Sequence, residues 1–372
     1  VVLTAAARIR EQTGEAPRRT GVLGQLIDLA FPLSFYDHAP FVAHDVPAVT
    51  ITTASARPPE PFGDGPERLS ADRLAELGAS AHALVESLDQ GLELAAGPAS
   101  YVYLGSRIAA GWAIQLALLA VLAAFLLVLA DLVLRAARRG VAFVPALRSF
   151  ARRLGFWLAA AGAFWLFDAA GAWADGQDRP ISPHTDAAGD WEVRAVGLYC
   201  VLLLAGWLIA RTRLLPEREV APEDELGGYA VALLGIAVLG VATVVVNPYA
   251  LLFVLPSAHA WLWLPQLRES SSWLRMGVYA LGLAGPLVLL GSLAIRFGLG
   301  LDAPWYLAQL VAVGYVGSGP VLLAALWLAS AAQVAALATG RYGPYPSRSD
   351  RRRRGVVPAV RRRLVRSRTM SR

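Results

Sequence analysis

The sequence predicts an α-helical polytopic membrane protein of about seven spans, preceded by the C-terminal piece of an α/β domain. Three observations carry that expectation. The 372-residue chain is 56% hydrophobic with a mean hydropathy of +0.48, more apolar than soluble domains run. Its apolar residues gather in runs of about 20, the length that crosses a bilayer core. Its basic residues, all Arg and never Lys, fall in alternate loops between those runs.

The candidate spans are Ala110–Leu134, Leu154–Ala174, Val193–Ala210, Tyr229–Val246, Tyr249–Leu264, Met276–Ile295 and Pro320–Thr339. The fifth is short. The apolar stretch Trp305–Val316 is broken by Gly314, Gly317, Gly319 and Pro320, and reads as a re-entrant or interfacial helix or as half of a kinked span, so six to eight spans are open. Six Arg lie between Arg135 and Arg153 after the first span, whereas the next loop, DGQDRPISPHTDAAGD, is acidic. RTRLLPERE is basic again, NPY neutral, QLRESSSWLR basic and RFGLGLDAPWY nearly neutral. This alternation predicts a multi-pass plasma-membrane protein with its N-terminus outside and its C-terminus cytoplasmic. Tyr101, Tyr103, Trp112, Trp191, Trp261, Trp263, Trp305 and Tyr306 fall near span ends, where amphipathic rings favour the interface.

From Arg341 to Arg372 the chain carries twelve Arg against one acid, Asp350. A basic block directly after a span is expected to be a disordered cytoplasmic tail that binds anionic lipid headgroups, and nucleic acid is not expected as a partner. The single cysteine, Cys200, excludes an intrachain disulfide. Three parts follow: 1–97 outside, 98–340 in the membrane with about seven helices, and 341–372 as the tail.

Residues 1–97 are a different material. SADRLAELGASAHALVESLDQGLELAAG places Leu74, Leu77, Ala81, Leu84, Leu88 and Leu92 on one helical stripe, with Ser70 as N-cap. VVLTAAARIREQTG and GVLGQLIDLAF read as short helices, and the β-branched run Val46–Thr52 as a buried strand. The order suits the closing edge of an α/β sheet. The chain begins at Val1 with no signal-peptide pattern, and is expected to be the C-terminal part of a longer product.

YDHAPFVAHDVPAVTI, residues 36–51, resembles a segment of the family-28 metallopeptidases through Asp37, His38, Pro40, Phe41, Val46, Pro47, Ala48 and Val49. FGDGPERLSADRL resembles the stretch leading into that family's last helix, and the whole chain looks like the C-terminal portion of actinobacterial membrane proteins that carry such a domain ahead of several spans. The resemblance covers about a quarter of the chain. It implies a zinc aminopeptidase-type hydrolase acting on peptides, in which two metal ions activate a bridging water. The family's final His ligand has no counterpart in residues 53–69, and neither His44 nor His82 stands at a ligand position. No zinc site can be assembled from this sequence, and the remaining ligands are expected ahead of Val1. Asp37 and His38 are left as site-edge residues or as residues that order the loop.

Within the spans, Asp168 and His259 are the polar candidates for function, since ionisable groups are costly in lipid. Asn247, Gln309 and Gln333 are polar neighbours, and Asp131 and Arg296 lie near enough to span ends to snorkel. Two functions remain open. One is a membrane-bound metallopeptidase whose zinc ligands are not in this chain; the other is a non-enzymatic permease or scaffold with a degenerate peptidase-like binding domain.

Overall fold

The apolar runs fold as helices because a bilayer core offers no partner for unpaired backbone groups, so each spanning segment must satisfy its own. The computed structural model describes residues 2–36, 38, 41, 48–53, 65, 67, 69–90, 100–105, 107–173, 193–215 and 222–342. Among them, α1 (Val2–Thr13), α2 (Val22–Ala30) and α3 (Ala71–Asp89) precede a hairpin of β1 (Tyr101–Leu104) and β2 (Arg107–Ala110). The membrane part follows as α4 (Gly111–Arg138), α5 (Phe143–Ala169), α6 (Val193–Leu214), α7 (Pro222–Val246), α8 (Leu251–Trp261), α9 (Ser272–Gly282), α10 (Ala284–Arg296), α11 (Ala303–Ala312) and α12 (Ser318–Ala338). The chain is therefore an α-helical membrane protein.

Among the described residues, five helical segments are long and apolar enough to cross a bilayer, or six if α9 and α10, bent by 56°, form one span. Seven were expected; with α9 and α10 taken as one span, α5 accounts for the difference. It begins with Arg148, Arg152 and Arg153 in its first half, so its apolar part from Leu154 to Ala169 reaches about 24 Å, short of the ~30 Å hydrocarbon core. The stretch read as re-entrant or interfacial folds as the separate ten-residue helix α11, which stops where Gly314 takes φ +79°.

The centre of the bundle is α7, with 61% of its spanning window buried against α5, α4, α8 and α12. Small residues permit that density: a Cβ on Gly228 would lie 2.8 Å from the Tyr342 ring, and one on Gly240 2.8 Å from Leu122. At the other extreme, none of the α6 window is buried. That helix is held to α5 by Tyr199 Oη donating to Ala160 O at 3.1 Å, and by Tyr199 and Phe164 packing on Trp173.

The bend between α9 and α10 has an identifiable cause. Pro286 has no N–H, so Gly282 O loses its helical donor; Ser257 Oγ donates to that carbonyl at 2.5 Å and accepts from Trp327 Nε1 at 2.9 Å. Leu283 N–H turns back to Ala280 O, and Trp261 Nε1 donates to the vacated Tyr279 O at 3.1 Å. Trp261 is therefore fully buried rather than interfacial, and Tyr306 is likewise buried among Phe297, Leu293 and Leu310. Trp112 and Trp263 are exposed, at 62% and 59%, as an interface belt requires.

Ahead of the membrane part, Ser70 Oγ accepts from Arg73 N at 3.3 Å and caps α3 as expected. Leu84 on α3 is buried, α1 packs on that helix, and Arg8 Nε donates to Ser87 Oγ at 2.7 Å; Leu74, by contrast, is 64% exposed. The expected strand at 46–52 is not seen where it can be checked. Residues 48–52 have no regular structure, and β1–β2 is the only sheet among the described residues. β-Branched composition marks a fit to a pleated surface and forms no strand without a neighbour to pair with. The regular structure among the described residues of 1–97 is helical, the boundary at 97 and 98 and the tail beyond Tyr342 lie outside the described residues, and no α/β sheet is present among those described.

Candidate functional site

Polar contacts sort the helix ends into two groups. At one end, Arg153 meets Leu214 and Gln333, Gln333 meets Gly228, and Glu225 meets Arg268. Arg135, Arg138, Arg139, Arg148, Arg152, Arg211, Arg275 and Arg341 belong to this Arg-rich end by their positions on the same helices and turns. At the opposite end lie Asn247, Tyr249, Arg296 and Tyr315, and onto them residues 22–36 are docked.

That docking is built from an ion pair, hydrogen bonds and apolar packing. Arg296 Nη1, at the C-terminus of α10, donates to the Asp28 carboxylate on α2. Asn247 Nδ2 donates to Leu29 O at 2.8 Å and to Ala30 O at 3.2 Å, while its Oδ1 accepts from Tyr249 N and caps the following turn. Tyr315 Oη donates to Pro32 O at 2.5 Å. Phe35 meets Phe297 edge-on at 4.9 Å, and Leu33 is buried with Phe297, Tyr306 and Leu310. On the other flank of α2, Gln25 acts as a short strand partner for β1: its Oε1 accepts from Tyr103 N at 2.7 Å and its Nε2 donates to Tyr103 O at 3.3 Å. Ser100 Oγ and Tyr249 Oη share a hydrogen bond where β2 turns into α4. Arg296 was expected to snorkel to water; it pairs with Asp28 instead, because α2 brings a half-buried carboxylate within reach.

Burial raises the Asp28 carboxyl above its usual value of 3.8, and Arg296 offsets part of that rise. The folded form thus holds a proton more readily than the unfolded chain, so the Asp28 contribution is fully present below about pH 3.8 and is lost as pH rises through the raised folded value. Asp28→Asn should leave the docking intact, while Arg296→Ala, which strands a half-buried carboxylate, should loosen it at pH 7 and less at pH 4. Hydrogen exchange of residues 22–36 reads both. Equal loosening by the two variants would show that the ion pair, and not carboxylate burial, governs the seat.

The second polar centre is Arg153 on α5, which is 2% exposed. Its Nη1 donates to Ser149 Oγ, to Ser149 O at 3.2 Å and to Gln333 Oε1 at 3.4 Å, its Nη2 donates to Leu214 O, and its guanidinium lies 5.6 Å from the centre of the Tyr342 ring. Gln333 Nε2 in turn donates to Gly228 O at 2.8 Å. Three helices, α5, α6 and α12, and the chain after α12 meet on one side chain, and Gln333 links it to α7. Nothing in the Arg-rich run that contains it distinguishes Arg153 from loop charges; the only sequence signal was Ser149 four residues before it, on the same helix face.

Of the expected site residues, the three that are described, His38, Asp168 and His259, do not converge. Asp37 lies outside the described residues, and His38 Nδ1 shares a hydrogen bond with Thr50 Oγ1 at 2.8 Å while its ring stacks on Tyr36, which orders the loop. Asp168 is exposed near the C-terminus of α5. His259 sits between α8 and α4, with Nε2 3.2 Å from Val121 O and its ring against Phe125. No contact joins Asp168 to His259, so no relay between them is supplied by this arrangement.

Among the described residues, no three of His, Cys, Asp and Glu gather to hold a metal ion, so these residues do not fit a zinc centre. No protein-family model matches the chain, and no curated protein and no solved structure does either.

Proposed function

We propose that this protein is a membrane-bound protein of the family-28 metallopeptidase type, in which the helical bundle seats the peptidase-like segment against the outer membrane face. The observation supporting this reading is the docking of residues 22–36, directly ahead of the resembling stretch, through Asp28–Arg296, Asn247 and Tyr315. The activity it carries is aminopeptidase-type hydrolysis of peptides at that face. The described residues contribute position and orientation, and no step of zinc chemistry falls to them. In the proposed orientation the Arg-rich end is cytoplasmic, with the tail against anionic headgroups, because Arg is concentrated there while Arg107, Arg194 and Arg296 are the described Arg of the membrane part at the opposite end.

Two measurements test the proposal. With Cys200 replaced by Ser, a cysteine at Ser347 should react with an impermeant maleimide only after the membrane is opened; labelling of intact cells would reverse the orientation. The purified protein should carry zinc and release amino acids from short peptides in a manner abolished by a chelator. Protein without zinc and without chelator-sensitive hydrolysis would remove the enzyme and leave a scaffold with a peptidase-like binding segment.

A further inference from the structure

At the Arg-rich end, Glu225 in the first turn of α7 receives Arg268 Nε at 2.9 Å from the turn after α8. Glu225 is 9% exposed, so one nearly buried carboxylate is matched by one guanidinium. A second cation stands beside this pair. Arg275, in the first turns of α9, lies within electrostatic range of Glu225 and of Tyr229, one turn further along α7. The Arg275 side chain makes no hydrogen bond or ion pair among the described residues, and its Nε is buried without a partner. The Tyr229 hydroxyl is also buried without a partner, on a side chain that is 0% exposed. Of the other acids nearby, Asp224 lies within range of Tyr342, and Glu269 is exposed on the turn.

The cluster therefore holds two guanidiniums, one carboxylate and two buried polar groups lacking an acceptor. Buried donors without acceptors are costly, and the site has one unmatched positive charge. Its rim is apolar: Trp273 is 86% exposed, Trp263 59% and Leu274 49%, side chains suited to the boundary between acyl chains and headgroups. A phosphate diester supplies both the missing charge and the missing acceptor oxygens, and guanidinium is its natural partner.

We propose that Arg275, with Arg268 beside it and Tyr229 behind it, binds the headgroup phosphate of an anionic phospholipid at this membrane face. The apolar rim selects a lipid over free phosphate, because only a lipid brings acyl chains to cover Trp273 and Leu274. The site is separate from the Arg-rich stretch 341–372: it is a position on the folded bundle built from Arg268, Arg275 and Tyr229.

The test is a titration of the purified protein, in neutral detergent, with phosphatidylglycerol, phosphatidylcholine or inorganic phosphate. Thermal stabilisation is read together with lipid retention in native mass spectrometry. Phosphatidylglycerol should stabilise and be retained, and Arg275→Gln should weaken it about tenfold, one charge-assisted hydrogen bond's worth. Arg139→Gln, at the same end on an exposed side chain, should change it less than about twofold. Neither substitution removes a hydrogen bond of the fold, so both variants remain readable. Equal losses from the two variants, or equal stabilisation by phosphatidylcholine, would overturn the site. Stabilisation by inorganic phosphate as strong as by lipid would overturn the lipid assignment.

Discussion

Replacing Gly285 with alanine should destabilise the bundle by more than about 3 kcal/mol, beyond the usual range for overpacking. A Cβ at this position would fall on the Phe253 backbone carbonyl, well inside contact distance. A crowded side chain can change rotamer, but a carbonyl in the first turn of α8 cannot yield without the helix moving. α8 and α10 would have to separate, and the two bonds that close the break between α9 and α10, Ser257 to Gly282 and Trp261 to Tyr279, would stretch with them. Gly291, on the same helix, supplies the control: nothing lies within 4 Å of its Cβ position, and alanine there should be neutral or stabilising by up to about 1 kcal/mol through helix propensity. Unfolding in mixed detergent measures both. If the two substitutions behave alike, α8 and α10 do not meet backbone to backbone.

Arg153→Ala should cost about 3 kcal/mol or more. Truncation leaves Ser149 Oγ, Gln333 Oε1 and Leu214 O without their donor and opens a cavity where a side chain 2% exposed had been packed. Among the described residues Arg153 has no carboxylate partner, so part of its energy is spent holding an unmatched charge away from water. A neutral side chain of similar length relieves that cost while filling the space, and Arg153→Met should therefore cost less than Arg153→Ala. Arg153→Lys should fall between wild type and alanine, since one ammonium cannot reach Ser149 and Leu214 from opposite edges as the planar fork does. A loss below about 1 kcal/mol on alanine substitution would mean that the helices meeting there are held by apolar packing alone.

The helices of the membrane part were legible because lipid removes alternatives: a run of about 20 apolar residues has only one way to satisfy its backbone. The same pattern misjudged α5, where Leu154–Ala174 reads as a full span but belongs to a helix that starts eleven residues earlier among arginines and ends at Ala169. The short helices α1 and α2 and the Ser70 cap were also readable, since periodicity and capping are local. The docking was not, because Asn247 reaches residues 218 and 217 positions away and Arg296 one 268 positions away. Rank by intramembrane cost singled out Asp168 and His259, yet Asp168 is exposed and His259 is packed on α4. Arg153 was hidden in the opposite way: an arginine among arginines looks solvated until the fold closes Gln333 and Tyr342 over it.

Two neighbouring helices in this bundle live under different rules of sequence change. α7 is in contact on several sides, and a larger residue at Gly228 or Gly240 meets the Tyr342 ring or Leu122 at once. α6 is left uncovered by the rest of the described chain, and in a bilayer its exposed Leu198, Val201, Leu204 and Ile209 would answer only to a requirement for hydrophobicity. Over generations the first helix can hold its letters while the second exchanges leucine, isoleucine, valine and phenylalanine freely, provided Tyr199 keeps its hold on α5. Descendants of this chain should therefore be recognisable by α7 long after α6 has become unrecognisable.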